Sequence, residues 1–156
     1  MRRYLHLLCV VLLIANRTAA QKSPANANND SLDVVKQLKD FTVAFNNLDY
    51  EHFQNFFSTE VTVFFPPSAM VAERINGKDS VMSVFKKFFA KVKQGKSAPP
   101  YLDIDPQKTQ IKIFGDIAII SFELTDPDAL SRRTIIMKKE NQNWLIIHLH
   151  ASKINK

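Results

Sequence analysis

The chain has 156 residues, of which 46% are hydrophobic and 23% charged, and its formal net charge is +6. This length is typical of one domain, and the composition excludes a disordered, collagen-like or low-complexity protein. Only three glycines are present, which excludes a glycine-rich loop of the kind that cradles phosphate groups.

The first twenty residues are typical of a secretory signal peptide. Arg2 and Arg3 precede an apolar stretch from Tyr4 to Ala15, and Thr18-Ala19-Ala20 offers small residues to a signal peptidase. We expect cleavage before Gln21, a secreted or periplasmic protein, and no membrane attachment after cleavage. The alternative is an uncleaved anchor or a buried N-terminal helix.

Removal of this segment changes the charge and the redox chemistry of the chain. The mature net charge becomes about +3, which is too small a bias to indicate nucleic-acid binding. The single cysteine, Cys9, is removed as well. We therefore expect neither a disulfide nor a thiol nucleophile in the mature protein.

Residues 21–29 are polar and alanine-rich, which predicts a flexible leader ahead of a domain at residues 30–156. Asp30 or Ser31 can cap the first helix of that domain. Apolar residues then follow at spacings of one helix face, at Val34, Leu38, Phe41 and Phe45.

Two further helices are predicted in the first half, with one strand between them. Asp49 caps a second helix, which carries Phe53, Phe56 and Phe57. The stretch from Val61 to Phe65 is β-branched and aromatic, which predicts a strand, and Pro66-Pro67 ends it. After a turn at Asn76-Gly77, Asp79 caps a third helix with apolar residues at Val81, Val84, Phe85, Phe88 and Val92.

The sequence pattern of the second half of the chain predicts strands and no helix. Their bounds are Thr109 to Phe114, Ile117 to Thr125, Arg132 to Lys139 and Trp144 to Ile154. Short polar connections separate these strands, which is typical of antiparallel neighbours. Helices followed by a meandering antiparallel sheet define an α+β domain.

The strand from Ile117 has apolar residues on both faces. Ala118, Ile120, Phe122 and Leu124 alternate with Ile117 and Ile119. A sheet with one face in water alternates apolar and polar residues instead. We therefore expect one face to pack on the helices and the other on a second copy of the chain, as a homodimer. The alternative is a monomer with an apolar surface.

Three pieces of sequence occur in a characteristic order: Asn46-Asn47-Leu48-Asp49, Arg132-Arg133-Thr134, and a W-x-x-x-H-x-H-x-S strand from Trp144 to Ser152. In this order they resemble the SnoaL-like family of the nuclear-transport-factor-like (ketosteroid-isomerase-like, cystatin-like) superfamily, near the calcium/calmodulin-dependent kinase association domain. The resemblance covers about Ser31 to Ile154. It implies a cone, in which a curved, mainly antiparallel sheet wraps around three helices with a pocket at the open end.

The resemblance also bears on catalysis. In the steroid-isomerase branch, a tyrosine on the first helix donates a hydrogen bond to the oxyanion, and an aspartate at the end of the first strand moves the proton. The matching positions here are Phe41 and Phe65, whose rings neither donate nor accept a proton. The branch's third acid has no counterpart between Ser131 and Lys139. We therefore expect no enolisation chemistry by these groups, and no cofactor.

The candidate ligand-binding residues are Arg132, Arg133, His148 and His150. Alternation places Arg133 beside Ile135 and Met137 on an apolar face, where its guanidinium would suit a carboxylate. Which of Arg132 and Arg133 faces the pocket is left open by the sequence. The alternative is an arginine that extends to solvent from a strand end. In the kinase association domain, which this chain resembles, an arginine in this strand helps line an acid-binding pocket together with a basic residue just after the H-x-H motif. In this chain the second of these positions is Ala151.

The two histidines alternate on one strand face and could bind zinc or act with a carboxylate as an acid–base couple. The other histidine of the mature chain is His52, and no cysteine remains. We therefore expect no metal and favour a structural pair. The acids available to a histidine are Glu73, Asp103, Asp105 and Glu123.

Two functions are consistent with these patterns. The first is an exported, non-catalytic domain that binds a small hydrophobic or carboxylate-bearing ligand or serves in assembly. The second is a cofactor-independent isomerase, cyclase or dehydratase that acts on a hydrophobic carbonyl compound through His148 or His150. The missing tyrosine and aspartate favour the first. A pocket with two or more convergent titratable groups would favour the second.

Overall fold

The computed structural model describes residues 24–66, 73–126 and 129–155. The predicted signal peptide at residues 1–20, with its cysteine, lies outside these ranges. Helix α1 (Pro24–Asn46) begins earlier than expected, so the predicted leader is helical from Pro24 onward. Among the described residues, no helix is long enough and apolar enough to cross a membrane.

Three more helical segments follow, and two of them test the predicted N-terminal caps. They are α2 (Tyr50–Phe53), a 3-10 turn (Gln54–Phe56) and α3 (Lys78–Lys93). The predicted cap of α2 is confirmed, since the Asp49 carboxylate accepts a hydrogen bond from the backbone N–H of His52 at 3.2 Å. The predicted cap of α3 is wrong. Gly77 precedes that helix with φ +82°, a conformation that glycine tolerates, and Asp79 lies within the first turn.

Six strands form one mixed sheet in the order β2-β1-β6-β5-β4-β3. Their bounds are β1 (Phe57–Phe64), β2 (Ile75–Asn76), β3 (Gln107–Phe114), β4 (Ile117–Asp126), β5 (Ala129–Glu140) and β6 (Asn143–Asn155). β1 runs parallel to β6, and every other pair is antiparallel. The predicted α+β cone is confirmed, although β1 begins before Val61 and the short β2 was not expected.

Tight turns connect the long strands of the second half. The β5–β6 turn consists of Asn141 and Gln142, with φ +47° and +70°. Two successive positive φ angles are typical of the two-residue turns that match the twist of antiparallel strands. Gly115, with φ +65°, begins the β3–β4 turn. These turns fix the register of the sheet that forms one wall of the candidate site.

A bulge in β6 decides which of its residues face the core. Ile136 of β5 lies opposite His148, whereas the next residue, Met137, lies opposite Ile146, so Ile147 is an extra residue. The buried residues of β6 are Trp144, Ile146, Leu149 and Ala151. Continuous alternation from Trp144 would have placed both histidines in the core. The bulge turns them to the outer face of the sheet.

The centre of the core is a cluster of phenylalanines from α1, α2, β1 and α3. Phe53 is completely buried, and its ring centroid lies 4.8 Å from that of Phe85 and 5.0 Å from that of Phe57. These contacts join the helices to the inner face of the sheet. They also provide the rigid base on which the candidate site is built.

A buried ion pair fastens the first half of α1 to the end of β5. Lys139 Nζ lies 2.6 Å from Asp30 Oδ1, and the Asp30 side chain is only 3% exposed. Asp30 was expected to cap the helix. It lies inside the helix instead, because α1 extends further toward the N-terminus than the sequence pattern indicates.

Candidate functional site

A cavity of about 340 Å³ lies between α1, α3 and the inner face of the sheet. Its size is near the lower end of the range of about 300–1,000 Å³ that is usual for small-molecule sites. Its walls are apolar apart from one arginine. The lining residues are Phe41, Phe45, Phe65, Pro66, Val84, Phe85, Phe88, Ile104, Phe122, Leu124, Arg133, Ile135, Leu149 and Ala151.

Arg133 is the single polar side chain among the described lining residues. It lies on the inner face of β5, beside Ile135, as the sequence alternation predicted. Its Nη1 donates hydrogen bonds to the carbonyl oxygens of Arg132, at 3.0 Å, and of Ser152, at 3.2 Å. Its Nε and Nη2 have no partner within the described ranges, so donors of the guanidinium remain available to a ligand.

The electrostatic environment of Arg133 favours an anion. Burial lowers the pKa of its guanidinium, since an apolar environment disfavours the charged form. No carboxylate in the described part of the chain forms an ion pair with it. A charge in weakly polar surroundings interacts more strongly with an opposite charge than it would in water. An acidic ligand would therefore be held more firmly here than on the surface.

Asn46 holds one rim of the cavity in place. Its Nδ2 donates to the carbonyl oxygen of Ile104, and its Oδ1 accepts from the Ile104 N–H, both at 2.9 Å. Its own carbonyl accepts from the N–H groups of Tyr101 and Leu102. The sequence analysis singled out this asparagine only as part of a family resemblance. Its structural role is to position Ile104 at the cavity.

The two positions expected to lack proton-transfer groups do line the cavity. Phe41 projects from α1, and Phe65 follows the end of β1. Both rings pack against other rings of the core, with Phe41 5.3 Å from Phe53 and Phe65 5.2 Å from Phe85. These walls can contribute apolar contact to a ligand, but no acid or base.

His148 and His150 lie on the opposite face of the sheet from the cavity. The ring centroid of Phe64 lies 6.0 Å from that of His148 and 5.6 Å from that of His150. His148 Nδ1 is 2.7 Å from the Thr62 hydroxyl. Burial and the neighbouring His150 lower the pKa of His148. The expectation that these histidines share one pocket with Arg133 is wrong in its geometry, because the β6 bulge reverses their direction.

Arg132 is likewise absent from the lining and is exposed on the outer face. None of the candidate acids is among the residues that line the cavity. Glu123 forms an ion pair with Lys108 at 2.8 Å, and Asp103, Asp105 and Glu73 are exposed. Among the described residues, no three histidine, cysteine or acidic side chains are close enough to hold a metal ion. The structure therefore brings Arg133 alone of the four predicted residues into the cavity.

The periodicity of the sequence places several of the remaining lining residues on apolar faces. Phe45, Phe85 and Phe88 were expected on apolar helix faces, and Phe122 on one of the two apolar faces of its strand; all four line the cavity. Apolar periodicity identifies a buried face but does not distinguish a filled core from a cavity. No local pattern in the sequence marks these residues as a binding wall.

Several solved structures share this fold. A candidate dehydratase of the NTF2-like family from Streptomyces avermitilis has a TM-score of 0.67 at 15% identity, covering 81% of this chain and 97% of that one. A cystatin-like fold protein from Burkholderia xenovorans has a TM-score of 0.66 at 19% identity, covering 84% and 96%. A candidate ketosteroid isomerase from Parabacteroides distasonis has a TM-score of 0.59 at 20% identity, covering 78% and 85%. At these identities the similarity establishes the fold alone.

Sequence comparison identifies the family to which the chain belongs. No curated protein matches the chain. The family model for the SnoaL-like domain matches residues 34–155, a range that contains all of the described lining residues. The chain therefore belongs to the SnoaL-like family, as the sequence patterns indicated.

Proposed function

We propose that this SnoaL-like domain binds, without catalysis, a small molecule with an apolar body and one carboxylate. The observation that carries the proposal is the position of Arg133, whose guanidinium is the single charged group in an otherwise apolar described wall. The phenylalanine walls would bury the body of the ligand. The free N–H groups of the guanidinium would bind its carboxylate oxygens.

The expected energies support recognition by this one group. A hydrogen bond to a charged group contributes about 1.5–3 kcal/mol, and 1.4 kcal/mol corresponds to about tenfold in affinity. Loss of the guanidinium should therefore weaken an acid by about tenfold or more. A neutral molecule of the same shape should lose much less, because its contacts with the apolar wall are retained.

The experiment compares octanoate with octan-1-ol by isothermal titration calorimetry. We expect the wild-type protein to bind the acid at least about tenfold more tightly than the alcohol. In Arg133→Gln that ratio should fall to about one. The matched control is Arg132→Gln, which removes the same charge one residue away on the outer face and should leave both affinities unchanged.

The proposal is wrong if the wild-type protein does not distinguish the acid from the alcohol, or if Arg133→Gln retains the wild-type affinity for octanoate. Thermal unfolding followed by circular dichroism establishes that each variant is folded. Should Arg133→Gln unfold, Arg133→Lys provides a second measurement. It keeps the charge but loses the planar fork, so octanoate binding should weaken only in part.

An enzymatic function is the alternative, and a specific neighbour motivates it. The Streptomyces avermitilis protein is a candidate dehydratase with the same fold, and this chain would by analogy act on a hydrophobic carbonyl compound. Such chemistry requires a group that moves a proton between substrate atoms. Arginine stays protonated at neutral pH, and the other described wall residues have no titratable side chain. These observations favour binding over turnover.

We further propose that the protein is a homodimer through the outer face of the sheet. Two rows of neighbouring residues cross four strands on this face: Ile119, Ile136, His148 and Thr62, and then Ser121, Thr134, His150 and Phe64. Ile119 and Phe64 are 37% and 38% exposed. Covering such exposed apolar side chains with a second copy of the chain removes apolar surface from water and so stabilises the pair.

Light scattering coupled to gel filtration tests the dimer on the mature chain. We expect a dimer at micromolar concentration, with a total buried interface of roughly 1,200–2,000 Å². Ile119→Glu should convert it to a monomer, whereas Leu32→Glu, on the exposed face of α1, should not. A wild-type protein that is entirely monomeric would contradict the proposal.

We also propose export to the periplasm or the extracellular space. The support is the positive N-terminus, the apolar stretch after it and the small residues before Gln21. Expression of the full chain followed by N-terminal sequencing should return Gln21. A protein that still begins with Met1 and stays in the cytosol would overturn this proposal.

A further inference from the structure

The helical side of the cavity presents a row of nearly parallel aromatic rings. The Phe45 ring lies 6.3 Å from that of Phe41 at an interplanar angle of 6°, and 6.0 Å from that of Phe88 at 13°. All three residues line the cavity. The row therefore combines side chains of α1 and α3 into one wall with a common ring orientation.

One neighbouring ring is turned nearly at right angles to this row, and a second ring packs edge-on against that neighbour. The Phe85 ring meets that of Phe45 at 86° and 6.0 Å, and Phe65 meets Phe85 at 68° and 5.2 Å. Both residues also line the cavity, as does Phe122 of β4. The walls thus belong to one network of stacked and edge-on rings. This network holds each ring in a defined orientation before any ligand arrives.

We infer that the ligand is an aromatic monocarboxylic acid, with its ring against the wall of Phe41, Phe45 and Phe88 and its carboxylate on Arg133. This inference rests on the proposed function and specifies the ligand's chemical class. A planar ring parallel to the row would stack on one ring while meeting others edge-on, and such contacts add to the effect of burying apolar area. A saturated ring of similar size buries comparable area but lacks the quadrupole that makes these contacts favourable.

The single charge of the described wall limits the number of carboxylates. One acid group can pair with Arg133, whereas a second would be buried without a cation, which is strongly unfavourable. The volume of about 340 Å³ accommodates a ring with a short side chain. An aromatic ring joined through two or three carbons to one carboxylate has the required composition.

The experiment uses 3-phenylpropionate and 3-cyclohexylpropionate, which differ only in the unsaturation of the ring. By calorimetry, the wild-type protein should bind the phenyl acid about threefold to tenfold more tightly. In Phe45→Leu and, separately, in Phe88→Leu, this preference should fall below about twofold. The matched control is Phe114→Leu at the exposed end of β3, which lies outside the cavity lining and should keep the wild-type preference. Phe88 is only half-buried, so its variant provides the measurement if Phe45→Leu is unstable.

The outcomes separate this inference from the function on which it rests. If both acids bind equally and Arg133→Gln weakens both, the ligand class is wrong and acid binding stands. If neither acid nor octanoate binds, the proposed function itself is wrong. A phenyl preference that persists in both leucine variants would also overturn the inference, because the ligand ring would then lie away from the aromatic row.

Discussion

Replacing Asn46 with alanine tests whether one side chain holds the rim of the cavity. The substitution removes two hydrogen bonds of 2.9 Å to the backbone of Ile104, whereas the bonds from Tyr101 and Leu102 to the Asn46 carbonyl are kept. Each lost bond contributes about 0.5–1.5 kcal/mol, so the free energy of unfolding should fall by about 1–3 kcal/mol. For a domain of this size, that corresponds to a decrease in Tm of roughly 4–12 °C.

The assay is thermal and urea unfolding followed by circular dichroism, with octanoate titration on the same samples. Ile104 is part of the cavity wall, so its release should also weaken octanoate binding. Asn47→Ala is the matched control, since Asn47 is exposed and its side chain has no hydrogen bond to another described residue. If Asn46→Ala unfolds at the same temperature as Asn47→Ala, the reasoning about the rim is refuted.

Two further predictions concern the buried ion pair of Asp30 with Lys139 and the titration of His148. Asp30→Ala leaves Lys139 largely buried without its carboxylate, so the free energy of unfolding measured in urea should fall by about 3–5 kcal/mol. The control Lys36→Ala breaks an exposed pair and should lower that free energy by less than about 1 kcal/mol. Equal losses in the two variants would contradict the argument from burial. The lowered pKa of His148 means that the folded chain binds a proton less readily than the unfolded chain. Stability should therefore fall as the pH decreases below the unfolded value of 6.5. His148→Gln should show a flatter profile, and an unchanged profile would refute this assignment.

The periodicity of the sequence was sufficient to identify the buried faces. Val34, Leu38 and Phe41 are buried on α1 as predicted, and Ala118 and Ile120 are buried on β4. These predictions succeed because burying an apolar side chain is the largest favourable contribution to folding, and a regular helix or strand repeats that burial at a fixed spacing. The same alternation correctly placed Arg133 on an apolar face.

The direction of the two histidines could not be predicted in the same way. One extra residue at Ile147 reverses the alternation between Ile146 and His148. A bulge of this kind depends on pairing with the neighbouring strands and has no local sequence signature here. A prediction that assumes an uninterrupted strand therefore assigns the wrong face to every residue beyond it.

The family resemblance implied a pocket, but the apolar pattern of the sequence could not identify the residues that line it. Phe45 and Phe88 have the same apolar character whether they fill a core or face an open space. What distinguishes the two cases is the distance between α1, α3 and the sheet, which results from contacts distributed over the whole chain. Asn46 illustrates this dependence, because its partner Ile104 is 58 residues away along the sequence.

One residue of the described cavity wall, more than the fold, supports the proposed binding function. An isomerase or dehydratase must hold a group that releases and accepts a proton near the operating pH, and a guanidinium does neither. A permanent cation in apolar surroundings instead attracts and orients an anion. The positions that resemble the catalytic ones of the steroid-isomerase branch are Phe41 and Phe65, and both line the cavity. Both positions therefore give the wall a phenylalanine ring and no acid or base.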